Sequence, residues 1–416
     1  MKKMLFIGFG SETKFAIEYA KGLGVYTILS DYIPYEKNPF KHMVDEAWDI
    51  DAADIDSLEQ KVKESGVTAV FAGSNEFCLD TVHELTKRLG LPFYASDTVY
   101  KAARDKSYFK SIAEKVGLRV PKSYQLTEEF LPEDLQKIQY PVIVKPTDQT
   151  AARGIAVCSN EDELKRAYRN AIELSLSGNA LVEQFISGIG SGIFYVLHNG
   201  KATLHFGFGA DAATSLLPEN LFDSEGYRPL SGFPLYRNVN QTEEDREAIS
   251  RLFQELHATE GVTSLQYQKG ADGKNYYFEL GYRLDGDLIW KVAEQGGDAN
   301  QIKILMNYAL GLDTPEEEYN KSLDDTHPIY GAPIWMKSGT VKGISGVEKA
   351  NSIPGVNIFI SRFVPGSVVK DGPRTLENIG FIAAIKANDD DEFLDKIAHV
   401  KSCLHVISTT NENMIL

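Results

Sequence analysis

The first hundred residues switch repeatedly between two hydrophobic periods, and this alternation restricts the fold more than any other feature of the chain. KMLFIGFG is an apolar run of strand length, and SETKFAIEYAKGLG spaces its apolar residues as a helix does, with Ser11 as N-cap and Gly24 near the stop. VYTILSD then reads as a strand, SLEQKVKESG as a helix, TAVFAGS as a strand, FCLDTVHELTKRLG as a helix and LPFYAS as a short strand. Strands separated by helices pair in parallel, so residues 1–100 are expected to form a doubly wound parallel sheet. The turn GFGSET offers Gly8 and Gly10 but lacks the third glycine of a dinucleotide fingerprint, and reads as a tight strand-to-helix turn.

Beyond residue 100 the pattern changes to α+β. A helical stretch, ASDTVYKAARDKSYFKSIAEKVG, precedes the strands YPVIVKPTD and GIAVCS, the helix EDELKRAYRNAIELSLSG and the strand NALVEQFIS, giving a second unit over 101–187. A third unit, 188–313, holds a hairpin turning at His-Asn-Gly (GIFYVLHNG with KATLHFGFGA). It continues with the Gly/Pro-rich loop LLPENLFDSEGYRPLSGFPLY, whose length marks it as functional or mobile. The helix QTEEDREAISRLFQELHATEG, the hairpin TSLQYQKGADGKNYYFELG and the helix DANQIKILMNYALG complete it. The acidic, loop-like TPEEEYNKS opens a small α+β unit over 314–416.

Charge and cysteine usage narrow the function classes. The net charge of −16 argues against nucleic acid and anionic membrane as partners. Cys78, Cys158 and Cys403 are odd in number and lack CxxC spacing, so neither a disulfide framework nor a zinc site is expected. No apolar run reaches the ~18 residues of a membrane span, and MKKMLFIGFG reads as a strand rather than a signal peptide; a reduced cytoplasm is the expected setting. The eight histidines are dispersed and each reads first as structural, and no Ser/His/Asp or Cys/His arrangement stands out, although His205 and Arg237 flank the long loop where they could touch a substrate.

Chemistry concentrates at strand ends. Lys106 starts a helix after Asp105, Lys145 ends the strand PVIVK before Pro146, Glu183 ends ALVE, and Glu279 and Arg283 lie in FELGYRLDGD. Each alone is as readily a solvated surface charge; their order is what carries information. RDKSYFK, VIVKPTDQTAARG, LVEQFISG and ELGYR follow one another as the motifs of the ATP-grasp superfamily do, and the chain resembles that superfamily over almost its whole length. Its C-terminal segment resembles the carboxylate–amine (L-amino-acid) ligase branch.

The resemblance implies a fold in which a lid lobe (with linker helices) and a central lobe close over ATP, beside the N-terminal α/β domain and the C-terminal unit. It implies ATP and Mg²⁺ or Mn²⁺ as cofactors, Lys106 and Lys145 on the phosphates, and a phosphate-covering lid at Gln149 to Gly154, including Ala152 and Arg153. Glu183, Gln184 and Phe185 would form the adenine hinge, with Phe185 or Ile186 packed on the ring. Arg283 would clamp the transferred phosphoryl group or acyl phosphate, and with Lys145 it is the expected catalytic pair.

Two positions depart from the family pattern. No acidic residue follows the hinge to hold the ribose, leaving Ser191 as the nearest polar group. At the metal position Glu279 is kept, Gln266 or Gln268 replaces an acid and Gly281 replaces an Asn. Asp285 and Asp287 either complete the metal set or cap the helix LIWKVAEQ, with Asp287 as N-cap. The implied activity is ATP-dependent ligation of a small-molecule carboxylate to an amine, with Arg228, Arg237 or Lys337 holding substrate carboxylates and a homodimer as the assembly common in the family. The alternatives are a catalytically impaired nucleotide-binding protein and a carbamoyl-phosphate-synthase-like or carboxylase-like enzyme.

Overall fold

The structure is a computed structural model. It describes residues 1–149, 154–188, 190–209, 216, 222–223, 226–227, 232–237, 239, 241–286, 288–324, 328–360, 363–370 and 378–416. The N-terminal unit is built on four parallel strands, β1 (Lys3–Ile7), β2 (Tyr26–Ser30), β3 (Glu46–Trp48) and β4 (Ala69–Phe71), in the order β3-β2-β1-β4. Helix α1 (Thr13–Gly22) connects β1 to β2, α2 (Ile55–Ser65) connects β3 to β4, and α3 (Glu76–Leu89) follows β4. The near-continuous apolar runs of β1, β2 and β4 are what a sheet covered on both faces requires.

Two local expectations change. LPFYAS forms no strand: Phe93 and Tyr94 pack as rings, 4.8 Å apart, with Tyr94 stacked toward Tyr282 at 6.0 Å, so the segment is held by side chains rather than by ladder pairing. The fourth strand is the short and partly polar β3. At α1 the cap position belongs to Glu12, without a side-chain cap bond, while the Ser11 hydroxyl donates to the Glu12 carboxylate at 3.1 Å.

The helical stretch after residue 96 is two helices, α4 (Asp97–Arg104) and α5 (Lys106–Lys115), broken at Asp105. Asp105 is extended (φ −122°, ψ 102°), and its carboxylate accepts from the N–H groups of Ser107 (2.9 Å) and Tyr108 (3.0 Å). The break reorients the chain so that α5 starts with Lys106.

The lid sheet follows: β5 (Ser123–Tyr124), β6 (Val142–Pro146), β7 (Ala156–Cys158) and β8 (Ala180–Gln184), antiparallel in the order β5-β8-β6-β7, with α6 (Pro132–Leu135) between β5 and β6 and α7 (Glu161–Leu174) packed on it. The central sheet joins the hairpin β9 (Gly190–His198) and β10 (Lys201–Phe208) to a later one. The β9–β10 turn places Asn199 (φ 53°) and Gly200 (φ 76°) in the left-handed region, the conformation for which Asn-Gly is favoured. A two-stranded ribbon, β11 (Phe222–Asp223) and β12 (Gly226–Tyr227), β13 (Phe233–Leu235) and α8 (Glu243–Glu255) lead to β14 (Gly261–Lys269) and β15 (Asn275–Gly281), and the sheet order is β10-β9-β14-β15.

Helices α9 (Ile289–Gln295) and α10 (Gln301–Leu310) follow, and TPEEEYNKS contains the short helix α11 (Glu316–Tyr319) where a loop was expected. The C-terminal unit comprises β16 (Ile329–Trp335), β17 (Gly339–Ser345), α12 (Val347–Asn351), β18 (Val356–Ile360), β19 (Val368–Val369), β20 (Ile379–Lys386), α13 (Asp390–Cys403) and β21 (His405–Ser408). Its sheets run β13-β16-β20-β18 and β19-β17-β21.

The apolar interior divides unevenly. One cluster unites the N-terminal sheet, α4, α5, the central sheet, α8 and α10. The lid has a separate, smaller cluster including Val142, Val144, Cys158, Leu164 and Val182, and the C-terminal unit has its own. The lid is thus tied to the body mainly through polar contacts. Replacing Asp105 by Ala removes the cap of the helix that carries these contacts, and is expected to lower stability by about 1 kcal/mol, read as a lower urea midpoint at unchanged slope.

Candidate functional site

The lid and central sheets face one another across α5. Lys106 and Lys110 lie one turn apart on α5 and so share a face. Lys106 Nζ is 3.1 Å from Glu279 Oε1 on β15 and donates to the Gln149 carbonyl at 3.1 Å, at the start of the lid loop. Lys110, 4 % exposed, donates to Glu183 Oε1 (2.6 Å), the Pro121 carbonyl (2.7 Å) and Ser123 Oγ (2.6 Å). The other oxygen of Glu183 meets Lys145 Nζ at 2.7 Å. This follows from strand register: β6 and β8 pair Ile143 with Glu183 and Lys145 with Leu181, so Lys145 and Glu183 are diagonal neighbours on one face.

Glu183 is buried, which by itself would push its carboxyl up, but Lys145 and Lys110 together outweigh that and hold it below the ordinary carboxylate range. Burial shifts Lys110 downward against the pull of Glu183.

On the central sheet, β14 and β15 pair Gln266 with Glu279 and then Tyr267 with Tyr277, leaving Phe278 as the extra residue of a bulge. The Phe278 ring lies under the Lys145 ammonium, 5.5 Å from its centroid. Phe278 therefore joins Glu279 at the cleft, a placement that strict alternation would have denied it. Gln268 pairs with Tyr276, two places further along, and its amide donates to the Gly188 carbonyl at 3.5 Å, so Gln266 is the glutamine directly opposite Glu279.

Among the described residues no group of three or more His, Cys, Asp or Glu side chains suits a metal ion. What remains is Glu279 with Gln266 directly across the strand, a set that fits magnesium when the triphosphate supplies further oxygens. Asp285 is partly buried beyond Arg283, and Asp287 lies outside the described residues. Helix α9 is preceded by Leu288 in the left-handed region (φ 61°), without a side-chain cap.

At the expected hinge, two backbone N–H groups are already bonded. The Gln184 N–H donates to the Lys122 carbonyl (2.8 Å) and the Phe185 N–H to the Pro141 carbonyl (3.2 Å), so neither is available to a purine. The next N–H, that of Ile186, has no acceptor among the described residues. Ser191 does not line an open surface: it is 3 % exposed, and a Cβ added at Gly209 would sit 2.6 Å from its Oγ. Its assignment to the ribose is corrected on that ground. Ala152 and Arg153 lie outside the described residues; Gly154 turns with φ +78° against Pro146 and Leu174, where a Cβ would clash.

Arg283 is gripped by the N-terminal unit. Its Nε and NH2 donate to Glu76 Oε1 at 3.2 and 3.0 Å, and NH1 donates to the Leu284 carbonyl at 3.1 Å. Glu76, in the first turn of α3, also pairs with Arg104, which forks onto Asp80 (3.0 and 2.9 Å). An open cleft of about 490 Å³ between α3–α4 and the lid is walled by Asp80, His83, Tyr100, Arg104, Asp148 and Leu176; none of Lys106, Lys145, Glu183 or Glu279 lines it.

His205 is buried and bonded to Asp298 at 2.7 Å, which overturns its reading as a substrate contact. Arg237 and Lys337 are exposed, and Arg228 lies outside the described residues. Sequence reasoning missed Lys110, Phe278 and Glu76. RDKSYFK already held the signal for Lys110, a second lysine at helical spacing from the first.

Since Glu183 titrates below its unfolded value, its contribution is present above the ordinary carboxylate pKa and is lost as pH falls through the lowered one. Glu183→Gln is expected to cost about 3–5 kcal/mol at pH 7, as breaking a buried pair does. The gap to the unsubstituted protein should close progressively in acid, as followed by denaturant midpoints between neutral pH and the carboxylate range.

Residues 105–198 match the family described as "Carbamoyl-phosphate synthase L chain, ATP binding domain". The formate-dependent phosphoribosylglycinamide formyltransferase of Sulfurisphaera tokodaii is 24% identical over 372 residues, covering 86% of this chain and 87% of that protein. The L-amino acid ligase of Bacillus licheniformis superposes with a TM-score of 0.74 at 19% identity, over 98% of this chain and 99% of that one. The biotin carboxylase domain of Hydrogenobacter thermophilus 2-oxoglutarate carboxylase, solved with MgADP and bicarbonate, superposes with a TM-score of 0.78 at 17% identity, over 100% and 91%. The chain has the ATP-grasp fold, and Lys106, Lys110, Lys145 and Glu183 fall within the matched residues 105–198, whereas Phe278 and Glu279 lie beyond them.

Proposed function

We propose that the protein is an ATP-dependent ligase that activates a small-molecule carboxylate as an acyl phosphate for attack by an amine. The observation that carries this reading is the convergence of Lys106, Lys145, Phe278 and Glu279 at one cleft between the two sheets. The relatives named formyltransferase and amino acid ligase support the same class of chemistry.

In this reading Lys106 and Lys145 direct positive charge at the triphosphate, which must be offset before an anionic carboxylate can approach. Without nucleotide, Lys106 and Glu279 satisfy one another; on binding, the ammonium turns to phosphate oxygens and the carboxylate is released for magnesium. Magnesium, held by Glu279 and the Gln266 amide oxygen with the triphosphate, would supply the remaining charge neutralisation. The Gln184 carbonyl and the Ile186 N–H suit the adenine edge, and Phe185 and Ile186 its faces.

A carboxylate oxygen then attacks the γ-phosphorus, the bond to ADP breaks, and an acyl phosphate forms. The amine adds to the acyl carbon, phosphate leaves with the C–O bond pair, and the proton lost from the amine nitrogen departs with the phosphate. No nucleophilic side chain is required. Arg283 offers a planar fork to the anionic acyl phosphate once Glu76 yields it.

A second reading, nucleotide binding without turnover, is favoured by one observation: Gly281 brings no donor where the family pattern has Asn, which leaves Glu279 as the carboxylate on this strand.

ADP release with magnesium, amino acids in pairwise combination and other small carboxylates with amines separates the two. Turnover is expected for at least one pair, and Glu279→Gln should reduce it by roughly 100-fold or more, the scale of removing one group that offsets developing charge. Tight ATP binding with no ADP released across the panel would refute ligation and leave the second reading. Bicarbonate-stimulated ADP release without an amine would instead point to carboxylase-like chemistry.

A further inference from the structure

Resting on the nucleotide-binding reading, we propose that Lys110 is a positioning residue which sets the charge that Lys145 presents to the triphosphate. A buried carboxylate beside a single lysine forms a neutral pair, and that lysine then offers little field to a third party. Glu183 is beside two. Its oxygens are divided, Oε1 to Lys110 at 2.6 Å and Oε2 to Lys145 at 2.7 Å. The triad therefore carries one net positive charge.

The geometry decides which lysine delivers it. Lys110 has three donors, and all three are consumed, by Glu183, the Pro121 carbonyl and Ser123 Oγ. It is fixed and faces inward. Lys145 lies over the Phe278 ring at the cleft. Both lysines are buried, but Lys145 meets only Glu183 and the Phe278 ring among the described residues, so the excess charge is left on Lys145 while Lys110 cancels Glu183 from behind.

Placement on the chain supports this role. Lys110 follows Lys106 by one helical turn on α5, so one rigid element holds the lysine that meets Glu279 and the lysine that neutralises Glu183. Ser123 belongs to β5, paired with Glu183 in register, so Lys110 also pins the lid sheet to α5 where no shared apolar core does so.

The test compares binding of ATP and of adenosine to the full chain. Lys110→Met should weaken ATP about 10–100-fold, the range for partners that orient a binding group from behind, and leave adenosine binding within about two-fold of the unsubstituted protein. The double variant Lys110→Met with Glu183→Gln removes the carboxylate that would otherwise hold Lys145, and should recover most of the lost ATP affinity. Equal loss of ATP and adenosine, or a double variant weaker than Lys110→Met alone, would show a merely structural role and overturn the proposal. So would unchanged ATP binding by Lys110→Met. If the unsubstituted protein binds adenosine and ATP not at all, the nucleotide reading itself fails, a result distinct from any loss confined to the variants.

Discussion

One carboxylate between two ammonium groups, all three withdrawn from water, is the interaction on which the site depends. Desolvating three charges is unfavourable, and the cost is offset only because each charge finds close partners: Glu183 takes both lysines, and Lys110 adds a carbonyl and a hydroxyl. Such a cluster contributes little to net stability compared with apolar side chains of similar size. Its value lies in geometry. It fixes the end of β8, from which the hinge departs, and the end of β6, from which the lid loop departs.

The distribution of apolar interior explains why a polar cluster is used there. The N-terminal and central sheets share one core with α4 and α5, whereas the lid closes its own small core around Val142, Val144, Leu164 and Val182. A lobe joined to its body by apolar packing resists displacement over its whole interface. A lobe joined through Lys106 to Gln149 and Lys110 to Glu183 turns about a few hydrogen bonds on one helix. The two arrangements suit an element that stays and an element that closes.

Much of this was legible before any coordinates. The strand-helix alternation announced the parallel sheet, and Lys106, Lys145, Glu183 and Glu279 were each visible as charges at strand or helix ends. What escaped did so for identifiable reasons. β3 is three residues long and partly polar, so it has no period to detect. Phe278 reaches the cleft because a bulge breaks the alternation, and bulges leave no mark in a single sequence. Which N–H at residues 184–186 stays free depends on where Lys122 and Pro141 lie across the sheet, which no local pattern reveals. Ser191 looked available until Gly209 was found against it. Long-range partners decided each of these, and a linear pattern carries only local ones.

The grip of Glu76 on both Arg283 and Arg104 has a wider meaning for how such a protein can change. The first turn of α3 belongs to the N-terminal sheet, yet it restrains a guanidinium on the far side of the domain boundary. Small adjustments in that turn, remote in sequence from every nucleotide contact, would retune the reach of the arginine without disturbing the hinge or the lid. In the proposed ligase, substitutions at Glu76 would therefore act on Arg283 and Arg104 while leaving the contacts of Lys110, Lys145 and Glu183 in place.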